Sequence, residues 1–174
     1  MTSSFSIAGD ESDWNIFSRT VAGHPPVFIR SRTSNPEIRA FAEANVMTRL
    51  RCELPPEQLN ENGLPKSTVE LDDYEEKLII GLTERNAHTC LIAVVTGEGN
   101  RDLFWAGVDG ADIREVVRAS SYNPSFKLKF ADVGADAKET FLNGLTVPAE
   151  ALARAQAEAA KSGGFLSRLL GGKS

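Results

Sequence analysis

The clearest candidate for ligand chemistry in this chain is the short run TGEGNR at residues 96–101. Backbone at Gly97 and Gly99 can approach a phosphate closely, and Arg101 could clamp it, so these three are candidate ligand-binding residues. Phosphate loops, however, run from a strand into the N-terminus of a helix, whereas this run joins two strand-like segments. A hairpin turn that uses the glycines for positive φ is therefore the favoured interpretation.

Aromatic side chains in strand-like runs raise the question of a surface on which bases stack. Trp105 directly follows Phe104, so the two rings point to opposite faces of a strand, and an exposed Trp105 would be a further candidate ligand-binding residue. The chain has 19 basic and 24 acidic residues, and this net charge of −5 argues against broad nucleic-acid binding. Core packing is the favoured interpretation, and no nucleic acid is expected as a partner.

The remaining polar residues form no recognisable catalytic motif. His24 and His88 are the two histidines, neither has a nucleophile at motif spacing, and no Gly-x-Ser-x-Gly occurs. The acidic pairs Asp72-Asp73 and Glu75-Glu76 could act as general acid and base only in a shared, partly desolvated pocket. They fall in the first turns of an amphipathic helix, where negative charge suits the helix dipole, so we expect them to face water.

The two cysteines, Cys52 and Cys90, lie far apart in strand-like runs. A pair of buried thiols is favoured over a disulfide or a redox site. Two cysteines and two histidines at these spacings do not supply a zinc site. The sequence thus predicts no metal and no cofactor, and whether the chain is an enzyme stays uncertain, leaning towards no.

Hydrophobic periodicity arranges residues 46–133 as strand, helix, strand, strand, helix, strand. This is the split βαβ, ferredoxin-like pattern of an α+β protein, in which two helices pack on one face of a four-stranded antiparallel sheet. A hairpin over 14–32, with its turn at 23–26, is expected to extend the sheet at one edge. A short helix starting at Asn35-Pro36 and another over 135–142 complete the pattern.

Two elements allow finer predictions. The segment 46–54 alternates as a half-buried strand, with Val46, Thr48, Leu50, Cys52 and Leu54 on one side and Met47, Arg49, Arg51 and Glu53 on the other. The long helix spans about 67–86, and Ser67 and Glu70 have the spacing of a capping box at its start. Glu75, Glu76 and Lys77 are expected on its exposed side.

The length of 174 residues suits one domain, which we place at 13–147 after a flexible N-terminus at 1–12. An alanine-rich helix at 148–162 and a flexible amphipathic tail at 163–174 follow. Neither a signal peptide nor an apolar run of about 18 residues is visible, so the expected location is the cytoplasm.

The tail carries Phe165, Leu166, Leu169 and Leu170, which form one apolar stripe if the segment is helical. These are candidate partner-binding residues. Three outcomes stay open: docking on the body of the protein, binding in the groove of a partner, or weak contact with a membrane surface through Arg168 and Lys173.

Several of these short motifs occur together in a known family. They are Asp13-Trp14 before the first strand, the run GLP at 63–65, Glu75 with Leu78 and Leu82, and the pattern TGxGxRD at 96–102 followed by Phe104 and Trp105. Because these motifs occur in this order, the chain resembles the bacterial domain of unknown function numbered 695 over about residues 13–135. The resemblance implies no reaction. Some relatives carry the domain beside one similar to a ribonuclease E regulator, which implies a protein-binding regulator by association.

Two hypotheses of function follow from the sequence. The leading one is a non-catalytic protein-binding or regulatory module that acts through its sheet face, the 97–101 turn and the tail. The alternative is a domain or enzyme that binds a small anion or nucleotide through Arg101 together with Arg49 or Arg51.

Overall fold

The structure, a computed structural model, describes residues 6–20, 22–108 and 110–146. In these ranges the strands are β1 (Asn15–Arg19), β2 (Val27–Ser31), β3 (Val46–Glu53), β4 (Thr89–Gly97), β5 (Asn100–Gly107) and β6 (Lys127–Asp132). The α-helices are α1 (Pro36–Ala44), α2 (Val69–Glu84), α3 (Ala111–Ala119) and α4 (Ala135–Leu145). None of the helices in these ranges combines the length and the apolar character needed to cross a membrane. The predicted helix at 148–162 and the tail at 163–174 lie outside the described residues.

The strands form one antiparallel sheet in the order β1-β2-β4-β5-β3-β6. The α+β class is therefore confirmed, and the N-terminal hairpin extends the sheet beyond β4 as expected. Strand β5 lies between β3 and β4, so the two strands that α2 connects run in the same direction without touching. The predicted order of strands and helices from β3 to β6 is observed, and the ferredoxin-like name for it stays a prediction.

Helices cover both faces of the sheet, and each face has its own core. On one face α2 and α3 pack through residues such as Leu78 and Ile113, and on the other α1 and α4 pack through Ile38 and Leu142. Burial of apolar surface on both faces is what holds these helices to the sheet.

The second helical layer corrects the prediction for β3. Thr48, Leu50 and Cys52 are buried under α2 and α3, as expected, but Met47 is completely buried on the opposite face and Val46 is exposed. Met47 packs in the core that α1 and α4 cover, so β3 is not a strand with one solvated face at this end. The alternation was correct, and the missing information was that both faces are covered.

The first described residues bond to the sheet through one buried arginine. Arg32, at the end of β2, is 2% exposed and donates hydrogen bonds to the backbone oxygens of Ser6 and Ile7, both at 3.3 Å. The amide of Leu91 donates to the oxygen of Ile7 at 2.8 Å. A buried arginine thus ties the backbone of Ser6 and Ile7 to the sheet, and the flexibility predicted for residues 1–12 stays a prediction.

The start of α2 differs from the predicted capping box. The helix begins at Val69 after Thr68, the Thr68 side chain makes no capping hydrogen bond, and the Val69 amide donates to the Ser67 hydroxyl at 3.4 Å. Glu70 does not reach back to Ser67 but accepts hydrogen bonds from the backbone amide of Ser125 at 2.8 Å and from the Ser125 hydroxyl. Glu70 thus fastens the first turn of α2 to the segment that leads into β6.

Candidate functional site

The glycine-rich run forms a two-residue hairpin turn between β4 and β5. Glu98 and Gly99 both have positive φ, 51° and 80°, which is the backbone of a type I′ turn. The favoured sequence interpretation is confirmed: the glycines serve the turn.

The backbone of this turn already has partners in the connection that follows β3. The Gly99 amide donates to the Gly63 oxygen at 2.8 Å, and the Gly99 oxygen accepts from the Leu54 amide at 3.0 Å. On its outer side, the Glu98 carboxylate lies 3.6 Å from the exposed His24 ring. The Gly99 amide is therefore engaged within the chain, so it is not a free donor for a phosphate.

Arg101 lies on the face of the sheet covered by α2, and its side chain is 9% exposed and paired with Asp72. Arg51 makes two hydrogen bonds to Asp102, at 2.8 and 2.7 Å. Since Asp102 follows Arg101 in the same strand, the two arginines lie on opposite faces of the sheet. Arg49 is two residues from Arg51 and shares its face. The structure thus separates Arg101 from both cations that the anion hypothesis required.

Trp105 is 1% exposed and lies in the core beneath α2 and α3. Phe104 is buried on the other face, with its ring centre 4.6 Å from that of Phe141. Neither ring is a surface on which a ligand could stack without opening a core. The favoured interpretation of core packing is what the structure shows, and Gly97, Gly99, Arg101 and Trp105 do not form an open site.

The four acidic residues of the two predicted pairs in α2 do not all face water. Asp72, Asp73 and Glu76 are exposed, as expected. Glu75 is buried and pairs with Arg30 on β2, so the prediction that it faces water is wrong. Partial burial is the largest single influence on the pKa of Asp72 and raises it, but the hydrogen bonds from Arg101 and Thr68 and the positive charges of Arg101 and Arg30 together outweigh burial and lower the pKa below its ordinary value. Asp72 and Glu75 therefore form ion pairs that join α2 to Arg101 and Arg30 of the sheet.

Cys52 and Cys90 are free and buried, which confirms the predicted pair of buried thiols. Burial raises the pKa of Cys52 to about 12, so its thiol is protonated and inert at neutral pH. Within 6–20, 22–108 and 110–146, no three His, Cys, Asp or Glu side chains come together to hold a metal ion.

The feature best suited to binding is a groove of about 460 Å³ between the 54–67 connection, the first turn of α2 and the start of β6. Its floor is apolar and consists of the buried side chains of Leu54, Leu71 and Phe126, and its rim carries Glu57, Glu70 and Asp73. We call it the acidic groove. A concave apolar floor with a few polar groups around it is the usual form of a binding site.

Hydrogen bonds fix the charge of this rim. The Ser125 hydroxyl and amide hold the pKa of Glu70 below 4.5, so Glu70 is negatively charged at neutral pH. Gln58 donates to the Ser125 hydroxyl at 2.7 Å and so joins the connection to the same contact. Lys66 also lines the groove, where its ammonium donates to the Glu57 backbone oxygen at 3.0 Å. Three carboxylates and one ammonium thus surround an apolar floor.

A second concavity, of about 580 Å³, lies between residues 12–15 and the start of α1. Its lining is mostly polar, with Asp13 and Glu37 among its residues, and Asn35 there caps the helix by accepting from the amides of Glu37 and Ile38. Its greater volume comes without an apolar floor. The acidic groove is therefore the better candidate site.

Sequence reasoning missed the acidic groove because its floor comes from three separate elements. The sequence of the 57–66 connection predicts only a polar loop, and the sequence around Leu71 and Phe126 predicts only that these residues belong to the core. One signal was available: Val69 is an apolar residue at the first position of α2, off the helix's apolar stripe, and it is 65% exposed at the groove. The predicted partner-binding residues Phe165, Leu166, Leu169 and Leu170 lie outside the described residues.

No protein-family model, curated protein or solved structure matches this chain.

Proposed function

We propose that this chain is a non-catalytic protein-binding or regulatory module and that the acidic groove is its binding site. The observation that carries the proposal is the groove of about 460 Å³, whose deepest lining residues are the apolar Leu54, Leu71 and Phe126 and whose rim carries carboxylates. A partner would insert apolar side chains onto this floor and place basic side chains against Glu57, Glu70 and Asp73. Large apolar side chains seated in a pocket, with charges at the rim, are the usual source of affinity and specificity in such interfaces.

The surface beside the floor supports a protein rather than a small anion. Val69 is 65% exposed at the rim, which extends the apolar surface beyond the floor itself. The carboxylates around it repel phosphates and other anions. The alternative, an anion or nucleotide site at the 97–101 turn, has less support, because Arg101 and the Gly99 amide already have partners within the chain.

The resemblance to the bacterial domain of unknown function numbered 695 remains part of this proposal. The motifs behind it are joined in two pairs. Arg30 lies over the Trp14 ring at 4.6 Å and pairs with Glu75, and the Gly63 oxygen accepts a hydrogen bond from the Gly99 amide. The resemblance implies, by association, a regulator that binds another protein, and we propose the cytoplasm as its location.

Substitution of Val69 tests the groove with a matched control. Val69→Lys removes apolar surface at the rim and adds a charge that repels a basic partner. Val108→Lys makes the same change at a valine of equal exposure, 67% against 65%, outside the groove. Both variants are immobilised with the unmodified chain, and the proteins captured from lysate of the source organism are quantified by mass spectrometry.

The expected result is a set of proteins retained by the unmodified chain and by Val108→Lys but lost with Val69→Lys. Melting temperatures of the two variants within error of each other show that the loss is not caused by unfolding. Identical sets for all three proteins would contradict a binding role for the acidic groove.

A further inference from the structure

We propose that the acidic groove is occupied by the chain's own segment 165–170, which an external partner must displace. The inference rests on the proposed function, since it assigns a resident ligand to the same groove. It turns an open binding site into one that is regulated by competition.

The segment has the chemistry that the groove requires. Residues 165–170 read FLSRLL, so that Phe165, Leu166, Leu169 and Leu170 supply apolar side chains beside one cation, Arg168. The groove has a volume of about 460 Å³, an apolar floor and carboxylates at its rim. A basic apolar segment against an acidic apolar groove satisfies both the hydrophobic and the electrostatic requirement.

The distribution of charge along the chain favours the same pairing. Residues 148–174 contain four basic and two acidic side chains, a charge of +2, while residues 1–147 contain fifteen basic and twenty-two acidic side chains, a charge of −7. Attraction between these two parts is screened beyond about 8–10 Å at physiological salt, so it acts where the parts touch. The carboxylates around the groove, with Glu70 held in its charged form by Ser125, provide such a contact for Arg168.

The chain is long enough to bring the segment to the groove. The last described residue, Thr146, is held at the end of α4 by hydrogen bonds with the Thr33 hydroxyl at 2.9 Å and the Arg39 guanidinium at 3.2 Å. Residues 147–164 follow before the apolar segment, and these 18 residues span up to roughly 60 Å when extended and about 30 Å if 148–162 form the predicted helix. A domain of this size has a radius of gyration of about 15 Å, so even the shorter span is comparable with its diameter.

The tether also explains why the chain's own segment is favoured over a free competitor. A covalent linker of this kind gives an effective concentration on the order of 1 mM. A segment that binds only weakly when it is free would still fill the groove most of the time. An external partner must then be present at high concentration or bind more tightly, which sets a threshold for recruitment.

Amine-reactive cross-linking of the full chain tests the inference, because both partners offer a lysine. Lys66 lines the groove and Lys173 lies three residues beyond Leu170. Three proteins are compared: the unmodified chain, Leu169→Asp, and Ser167→Asp, which adds the same charge at a polar position of the segment. Each is cross-linked as an equal mixture of unlabelled and nitrogen-15-labelled protein, so that links within one chain are distinguished from links between copies.

The expected result is a Lys66–Lys173 link within one chain, present in the unmodified protein and in Ser167→Asp and lost in Leu169→Asp. Lys138 lies on α4, which covers the opposite face of the sheet from α2, and serves as the internal reference. Equal linking of Lys173 to Lys66 and to Lys138 would overturn the inference, because it would mean that the segment has no preferred site. A link found only between copies would overturn it in favour of binding by a second molecule.

The outcome is separable from that of the capture experiment. If the cross-link is absent while Val69→Lys still abolishes capture, the groove binds partners and only the resident segment is refuted. If the cross-link is present while capture does not depend on Val69, the segment occupies the groove and only the recruitment function is refuted. With both correct, Leu169→Asp captures more partner than the unmodified chain, because the competitor has been removed.

Discussion

Glu75 on α2 accepts a hydrogen bond from Arg30 on β2, and the Glu75 side chain is only 10% exposed. The Arg30 side chain is 37% exposed, and its guanidinium also stacks over the ring of Trp14, 4.6 Å from the ring centre. One arginine thus connects the N-terminal segment, the hairpin and α2. The two members of the pair are not equivalent, since the carboxylate is buried while the guanidinium reaches solvent.

This asymmetry predicts that removing the cation is more harmful than neutralising the acid. Arg30→Met leaves a buried carboxylate without its partner and is expected to lower the free energy of unfolding by about 3 kcal/mol. Glu75→Gln leaves an arginine that water can solvate and is expected to cost about 1 kcal/mol. Urea denaturation measures both, with Arg30→Lys as the control that keeps the charge. Equal losses for Arg30→Met and Glu75→Gln would contradict this account.

The same pair shows what the sequence could not predict. The periodicity of α2 correctly placed Leu71, Tyr74, Leu78 and Leu82 in the core, because helical spacing is a local property. Glu75 follows Tyr74 and lies at the edge of that apolar stripe, and its burial depends on an arginine 45 positions earlier. A contact of this kind depends on how strands pair, which no local pattern contains.

The acidic groove shows the same limit. Its floor joins Leu54 after β3, Leu71 in α2 and Phe126 before β6, each of which was predicted as an apolar residue of its own element. The sequence therefore predicted that each of these residues is apolar, but it did not predict that the three side chains lie next to one another. The glycine-rich turn was predictable because positive φ at two adjacent residues is a requirement within the turn itself.

Arg32 is predicted to be the main anchor of residues 6–13. Besides Ser6 and Ile7, its guanidinium donates to the Leu91 oxygen and the Cys90 sulfur, both at 3.1 Å. Replacement of Arg32 by Met removes these hydrogen bonds from a buried site, and we expect a loss of about 3–5 kcal/mol in unfolding free energy. Hydrogen exchange at the Leu91 amide, which bonds to Ile7, should accelerate more than exchange in β3.

The matched control for Arg32 is an arginine whose ion pair is exposed. Arg85 pairs with Glu115 at 3.1 Å, and both side chains are largely in solvent. Arg85→Met is therefore expected to cost less than about 1 kcal/mol. If Arg32→Met were as mild as Arg85→Met, the N-terminal segment would not depend on Arg32.

The contact between Glu70 and Ser125 predicts a specific dependence of stability on pH. The Ser125 hydroxyl and then its amide are the main causes that lower the pKa of Glu70 below 4.5 in the folded state. A carboxyl whose pKa is lowered by folding stabilises the protein above its ordinary pKa, and this contribution is lost as the pH falls through the folded value. Ser125→Ala should therefore be less stable than the unmodified chain at about pH 7, and the difference should shrink towards about pH 3.

Urea denaturation at both pH values measures this difference, with Ser121→Ala as the control at an exposed serine of the same connection. A difference between Ser125→Ala and the unmodified chain that is constant with pH would mean that the contact does not involve the charged form of Glu70.

The turn between β4 and β5 contains a residue that the backbone does not favour, and replacing it should stabilise the protein. Glu98 has φ of 51°, a conformation that costs a residue with a β-carbon roughly 1–2 kcal/mol and that asparagine adopts more readily. Glu98→Asn is therefore expected to raise the unfolding free energy by about 1 kcal/mol. Glu98→Gln removes the same charge from beside His24 but retains the backbone cost, so it should leave stability nearly unchanged. Gly99→Ala should destabilise the turn, because its φ is 80° and an added β-carbon would lie 3.2 Å from Leu59.

Thermal and urea denaturation of the three variants measure these effects, and equal stability of the Asn and Gln variants would show that the backbone at Glu98 carries no strain. The Gly99 amide also donates to the Gly63 oxygen in the connection that forms one wall of the acidic groove. The loss of stability in Gly99→Ala would therefore measure how much the turn contributes to holding that wall in place.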